Sequence, residues 1–173
     1  MDNKVVHTIA RAARDVGLRA VRFNFRGVGS SAGRHDEGRG EIDDLLAVIA
    51  GCARHSPGRG LALAGFSFGA WVAASAVFRL PIPPAALLLV APPVHYLGFD
   101  ALVRFDLPVL VCQGDDDDVV DPEAVHDWCA SRRPSLAVRD FHTGHFFHGC
   151  LPALKEETGR WLGATLSPGR GGQ

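Results

Sequence analysis

Lysine is almost missing from this chain: Lys4 and Lys155 are the only two, and the other basic residues are arginines. Basic and acidic residues number 18 and 19, for a net charge of −1. That balance gives no global positive field to hold nucleic acid and no acidic tail. With abundant Ala, Gly and Pro, the scarcity of lysine points to a coding bias more than to a function. Long apolar runs are also lacking, and none approaches the ~20 residues of a membrane-spanning helix. Cys52, Cys112, Cys129 and Cys150 include no C-x-x-C pair, which argues against a disulfide framework and for reduced thiols in a cytoplasmic protein. The first residues follow an amphipathic pattern that includes Asp2 and Asp15, unlike a signal peptide. No internal repeat is visible.

The 173 residues suit one domain able to bury about 70% of its unfolded surface. Apolar content of 47% and charged content of 21% are those of an ordinary globular protein.

Val5, Val6, Ile9, Ala12, Ala13 and Val16 recur at helical spacing, and Gly17 ends the run. Residues 19–25 (RAVRFNF) read as a strand, followed by a glycine-rich loop over 26–40 and a helix over 41–53. A turn at 55–58 leads to a strand at 61–66, a helix at 70–80 and a proline-rich break at 81–84. Residues 86–90 form a continuous apolar run and hence a buried strand. After an irregular crossing over 91–106 with room for one helical turn, a strand follows at 108–113. Asp121 as N-cap and Pro122 at the first position open a helix over 122–131. A strand at 136–141 and a helix at 152–166 complete the domain, 1–166, and the tail 167–173 reads as disordered. Alternating strands and helices predict a three-layer α/β/α protein whose mostly parallel sheet has about five strands.

The chain is organised around residues 61–80. An apolar strand runs into Gly65-Phe66-Ser67-Phe68-Gly69, and an alanine-rich helix follows. A Gly-x-Ser-x-Gly sequence between strand and helix makes a sharp, strained turn that lifts the serine hydroxyl clear of the sheet. The crowding at such a turn calls for glycine at both 65 and 69. The Phe68 N–H, at the helix start, would face an oxyanion.

Chemistry on a parallel sheet gathers at the carboxyl ends of its strands. Gly114 to Asp121 follows one strand end (GDDDDVVD), and residues 142–148 follow another (HTGHFFH). Serine, aspartate and histidine thus arrive in that order after three strands. Acyl transfer needs this set: an imidazole to take the serine proton, and a carboxylate to fix the imidazole tautomer and stabilise its cation. His142, His145 and His148 also stand three apart, which beside the acidic run raises a metal cluster, but a metal site leaves Ser67 unexplained. His95 and His126 read as surface residues, and His7 and His35 have no evident partner. The Gly27–Gly33 loop matches a dinucleotide fingerprint poorly, since its third glycine is misplaced and no helix starts there.

Four pieces, RFNFRGVGSS at 22–31, GFSFG at 65–69, PVLVCQGDDDDVV at 108–120 and GHFF at 144–147, together resemble the α/β-hydrolases. The likeness is to the small lidless bacterial hydrolases of the dienelactone-hydrolase-like kind. The resemblance implies Ser67 as nucleophile, Asp117 as acid with Asp118 next, and His145 as base. It implies no metal or organic cofactor and a small-molecule ester or thioester as substrate. It also implies that the Gly27–Gly33 loop borders the site as structure, and Arg26 is expected to brace that loop against Asp36 or Glu41. Phe66, Phe68 and Phe146 would line a partly apolar acyl pocket. The family normally has a hairpin and a further strand before its first helix, and that strand's loop carries a second oxyanion donor. Here the first helix starts near Met1. The expectation is an internal methionine of a longer reading frame or a truncated gene, with activity reduced accordingly. It also leaves either a gap in the sheet or direct pairing of 19–25 with 61–66. A non-catalytic binding protein and a peptidase or acyltransferase are the alternatives. The sequence does not set the oligomeric state.

Overall fold

The computed structural model describes residues 3–55, 60–96, 98–99, 101–102, 104–132, 134 and 136–166. The expected tail at 167–173 and most of the turn at 55–58 lie outside them. Helix α1 spans Lys4–Asp15, and the Asn3 side chain caps it by accepting the Val6 N–H at 3.0 Å. The second helix, α2, spans Arg39–His55. Strand β1 (Ala62–Phe66) leads into α3 (Phe68–Val77), and β2 (Ala86–Val90) follows. Strand β3 (Val109–Gly114), α4 (Pro122–Ser131), β4 (Ala137–Phe141) and α5 (Leu151–Leu166) complete the order. Asp121 caps α4 by accepting the Glu123 N–H, as the Asp-Pro pair predicts.

The four strands form one parallel sheet in the order β1-β2-β3-β4. Its register sets Gly65 beside Leu89, Val90 beside Cys112 and Gly114 beside Phe141. Side chains alternate between faces. Leu87, Leu89 and Val111 pack under α2, α3 and α4 through Ile42, Trp71, Val125 and Trp128. Leu88, Val90, Leu110 and Cys112 pack against Val5 and Ile9 of α1 and Leu154 of α5. Strand β2 is buried along its whole length, which is why it reads as an unbroken apolar run. Each leucine wholly removed from water there contributes roughly 1.5–3 kcal/mol.

The sheet differs from the expectation at one place. Residues 19–25 join no strand ladder, so among the described residues the sheet has four strands instead of about five. Alternating side chains specify an extended backbone, whereas a strand also needs a neighbour within hydrogen-bonding distance. The segment and β1 do not close up to pair. The segment instead meets α3, with Phe25 edge-on to Phe68 at 5.7 Å between ring centroids. Ala64, in the middle of β1, is exposed.

Candidate active site

The turn between β1 and α3 takes Ser67 to φ 51° and ψ −123°, a region that a residue with a Cβ adopts only under strain. The strain is held by the turn's hydrogen bonds. Ser67 N–H donates to the Val90 carbonyl at 2.9 Å, and its own carbonyl accepts the Ala70 N–H at 2.8 Å. A Cβ on Gly65 would lie 2.1 Å from the Gly69 carbonyl oxygen, so glycine is required at 65. At Gly69 a Cβ would meet nothing within 4 Å, which corrects the expectation that both glycines are needed. The close approach is one-sided: the helix backbone presses on the strand residue, and position 69 faces open space. Phe68 is the first residue of α3, where the N–H groups have no carbonyl a turn earlier to bond.

The histidine arrives from the loop after β4. His145 is 4% exposed, and its Nε2 lies 3.0 Å from Ser67 Oγ. Its Nδ1 lies 2.8 Å from Asp117 Oδ2, in the loop after β3. A carboxylate only accepts, so Nδ1 carries the proton and Nε2 is left as the acceptor toward the serine. The Phe66 ring packs 5.0 Å from the imidazole on one side and Phe146 packs 5.1 Å away, edge-on. Phe146 itself is half exposed and borders a hollow of about 380 Å³ lined by Asn3, Lys4, Val5, Phe146 and His148.

Of the four consecutive aspartates, only Asp117 is buried, while Asp115, Asp116 and Asp118 are exposed. Four donors orient Asp117. The N–H groups of Val119 and Val120 reach Oδ1 at 2.9 and 2.8 Å. His145 Nδ1 and Gln113 Nε2 reach Oδ2 at 2.8 and 3.1 Å. Gln113, at the end of β3 and fully buried, was not singled out in the sequence, where it is one more residue of a strand-like run. A polar side chain at the last inward position of a buried strand is the signal that marks it. Gly114, next to it, lets the loops after β3 and β4 touch, since a Cβ there would lie 2.3 Å from the Thr143 carbonyl oxygen.

The three regularly spaced histidines do not act together. His145 turns inward, His148 is exposed, and His142 bonds Asp115 at 3.3 Å on the surface. That bond, with the charges of Asp115 and Asp116, raises the His142 pKa above the ordinary imidazole range. The ligand atoms of Asp115, Asp116 and His142 lie within 4.8 Å of one another, an exposed acidic group apart from Ser67. His126 pairs with Asp140, while His7 and His95 are exposed. Two of the thiols, Cys112 and Cys129, are buried. Burial holds Cys112 protonated far above the usual thiol range and pushes Cys129 up to about 12.

The 26–40 loop is braced differently from the expectation. Arg26 pairs with Asp44 of α2, not with Asp36 or Glu41: Nε and Nη2 donate to its two carboxylate oxygens at 3.1 and 2.8 Å, and the Arg26 N–H adds a third bond at 3.0 Å. One helical turn separates Glu41 from Asp44, so the guanidinium fork, which fits a carboxylate edge-on, takes the one whose both oxygens face it. Glu41 is instead wholly buried under the loop and accepts the N–H groups of Asp36 and Gly38 at 3.0 and 2.8 Å. His35, without an evident partner in the sequence, brings Nδ1 to 2.9 Å from Glu41 Oε1.

A parallel sheet with helices on both faces, carrying its serine at a strand-to-helix turn beside a histidine after the last strand, has the architecture of the α/β-hydrolases. Solved structures bear this out. An alpha-beta serine hydrolase homologue from Coxiella burnetii is 44% identical, with a TM-score of 0.87 over 94% of this chain and 77% of that one. A serine hydrolase without a lid from Xanthomonas campestris is 42% identical at the same TM-score, over 94% of this chain and 73% of that one. This chain therefore belongs to the α/β-hydrolase family. Among curated proteins, an uncharacterized protein of Rickettsia prowazekii is 37% identical over 131 residues, 73% of this chain, and this chain spans 55% of that protein. No family model matches. An esterase from Pyrococcus furiosus, 18% identical with a TM-score of 0.80, shares the fold.

Proposed function

We propose that the protein hydrolyses a small ester or thioester through an acyl-enzyme, with Ser67 as nucleophile, His145 as base and acid, and Asp117 as the orienting carboxylate. The observation that carries this reading is the unbroken line Ser67 Oγ–His145 Nε2–His145 Nδ1–Asp117 Oδ2, at 3.0 and 2.8 Å across its two hydrogen bonds. Ser67 Oγ attacks the acyl carbonyl carbon as its proton passes to Nε2. The Phe68 N–H, at the positive end of α3, donates to the oxyanion that forms. The imidazolium then hands its proton to the departing alcohol or thiol, and the acyl group stays on Ser67. A water molecule repeats the sequence, with His145 taking its proton and returning it to Ser67 as the acid leaves. Asp117, held by its four donors, stabilises the imidazolium throughout. The departing group lies on the His145 side, toward the hollow beside Phe146. The residues that carry these steps need no metal or organic cofactor, and a peptide bond or an acyl acceptor other than water would use the same atoms.

Labelling with a fluorophosphonate probe tests the reading. The expected result is covalent labelling of the wild type and none of Ser67→Ala. Folded wild-type protein that stays unlabelled would instead assign the fold to ligand binding without catalysis.

A further inference from the structure

A second carboxylate–imidazole pair stands on the other side of the elbow. Phe66 and Phe68 flank Ser67 and point to opposite faces of the sheet: Phe66 packs in the layer of α1 and α5, and Phe68 packs against the layer of α2 to α4. The Phe66 ring lies against His145. The Phe68 ring lies against His35, 5.3 Å between centroids at 61°. His35 in turn is tied to Glu41, whose carboxylate is 0% exposed and also holds two backbone N–H groups of the loop. Burial works against ionising that carboxylate, but the backbone N–H groups it accepts outweigh it, and the Glu41 pKa is lowered. No step of the proposed hydrolysis uses this buried charge.

The carboxylate biases the imidazole. Glu41 Oε1 lies 2.9 Å from Nδ1, which favours the tautomer with its proton on Nδ1, and in that neutral ring Nε2 is a bare acceptor. Among the described residues nothing in the protein bonds Nε2, and the His35 side chain is 60% exposed. Around it the Phe68 ring also meets Phe25 at 5.7 Å, Trp71 at 6.0 Å and Tyr96 at 6.1 Å. Phe68, next to Ser67, thus stands in an aromatic cluster with one hydrogen-bond acceptor at its edge. His145 must protonate the leaving group, so the leaving group occupies the Phe66 side. The acyl group is then left with the Phe68 side.

We propose that His35 is a specificity-determining residue, whose Nε2 accepts a hydrogen bond from a hydroxyl carried by an aromatic acyl group lying along Phe68, with Glu41 as the positioning residue that holds the ring. This rests on Ser67 being the nucleophile. The test compares methyl phenylacetate with methyl para-hydroxyphenylacetate, two esters whose methylene insulates the carbonyl from the ring substituent. One hydrogen bond predicts a preference in kcat/KM for the hydroxylated ester of about tenfold. His35→Phe keeps a ring against Phe68 and removes the acceptor, so the preference falls to about one. His35→Gln restores an acceptor and part of the preference. A wild type without preference, or a preference that survives His35→Phe, overturns the proposal. Fluorophosphonate labelling of the same samples separates the two readings. Labelling without a hydroxyl preference removes only the role of His35. If the wild type is not labelled, the nucleophile reading fails, and calorimetric binding of para-hydroxyphenylacetamide against phenylacetamide reads the same preference without turnover.

Discussion

Replacing Asp117 by asparagine changes one atom and, from the contacts around it, reverses the chemistry of His145. Oδ1 accepts the backbone N–H groups of Val119 and Val120. Oδ2 accepts His145 Nδ1 and the Gln113 amide. An asparagine can place its oxygen on only one of these sides. With the oxygen toward the two backbone donors, its NH₂ faces His145 and donates to Nδ1. The proton is then forced onto Nε2, and the imidazole can no longer accept from Ser67. The opposite orientation would set an NH₂ against the Val119 and Val120 N–H groups, at about 1–3 kcal/mol for the buried Val120 N–H alone. The first orientation therefore wins. The expected loss is about 10⁴-fold in kcat, or roughly 5.4 kcal/mol of barrier, the scale that a wrong tautomer imposes in serine hydrolysis. Burst kinetics with a para-nitrophenyl ester, together with the rate of fluorophosphonate labelling, measure it. Urea unfolding of the same variant separates this loss from a folding defect. Activity retained within about tenfold in Asp117→Asn, or a larger loss in Asp118→Asn, would refute the assignment of the acid.

Further outcomes follow from the surrounding contacts. Gln113→Leu removes one donor to Asp117 and should lower kcat/KM by roughly tenfold, the worth of about one charge-assisted hydrogen bond; an unchanged pH-rate profile and rate would make Gln113 mere packing. Gly65→Ala drives a methyl into the Gly69 backbone and should cost roughly 3 kcal/mol or more, whereas Gly69→Ala should be neutral or stabilising by up to about 1 kcal/mol, both read from urea midpoints. The Glu41 pKa is lowered on folding, so its contribution to stability is full above the unfolded carboxylate value and is lost as pH falls through the folded one. Wild-type urea midpoints should therefore drop below about pH 4, and Glu41→Gln should flatten that acid limb. An equally steep limb in Glu41→Gln would show that other carboxylates carry it.

The alternation of strand and helix, the bounds of β2 and α4 and the Asp121 cap were all readable before any coordinates. Each rests on interactions between residues a few positions apart. The elbow belongs to the same class: a strand, a serine between glycines and a helix set the local backbone. What lay beyond the sequence is the choice of partners across long stretches of chain. His145 and Asp117 are 28 residues apart, and His145 and Ser67 are 78 apart. Four adjacent aspartates are alike in sequence, and only the turn after β3 decides that Asp117 faces inward. The same holds for Arg26, which takes Asp44 over Asp36 or Glu41, and for His35, which finds Glu41. Residues 19–25 carry the pattern of a strand and join no strand ladder among the described residues. Pattern records which side chains prefer burial. Pairing depends on strand order, register and the packing of helices on both faces, and these exist only once the whole chain has folded.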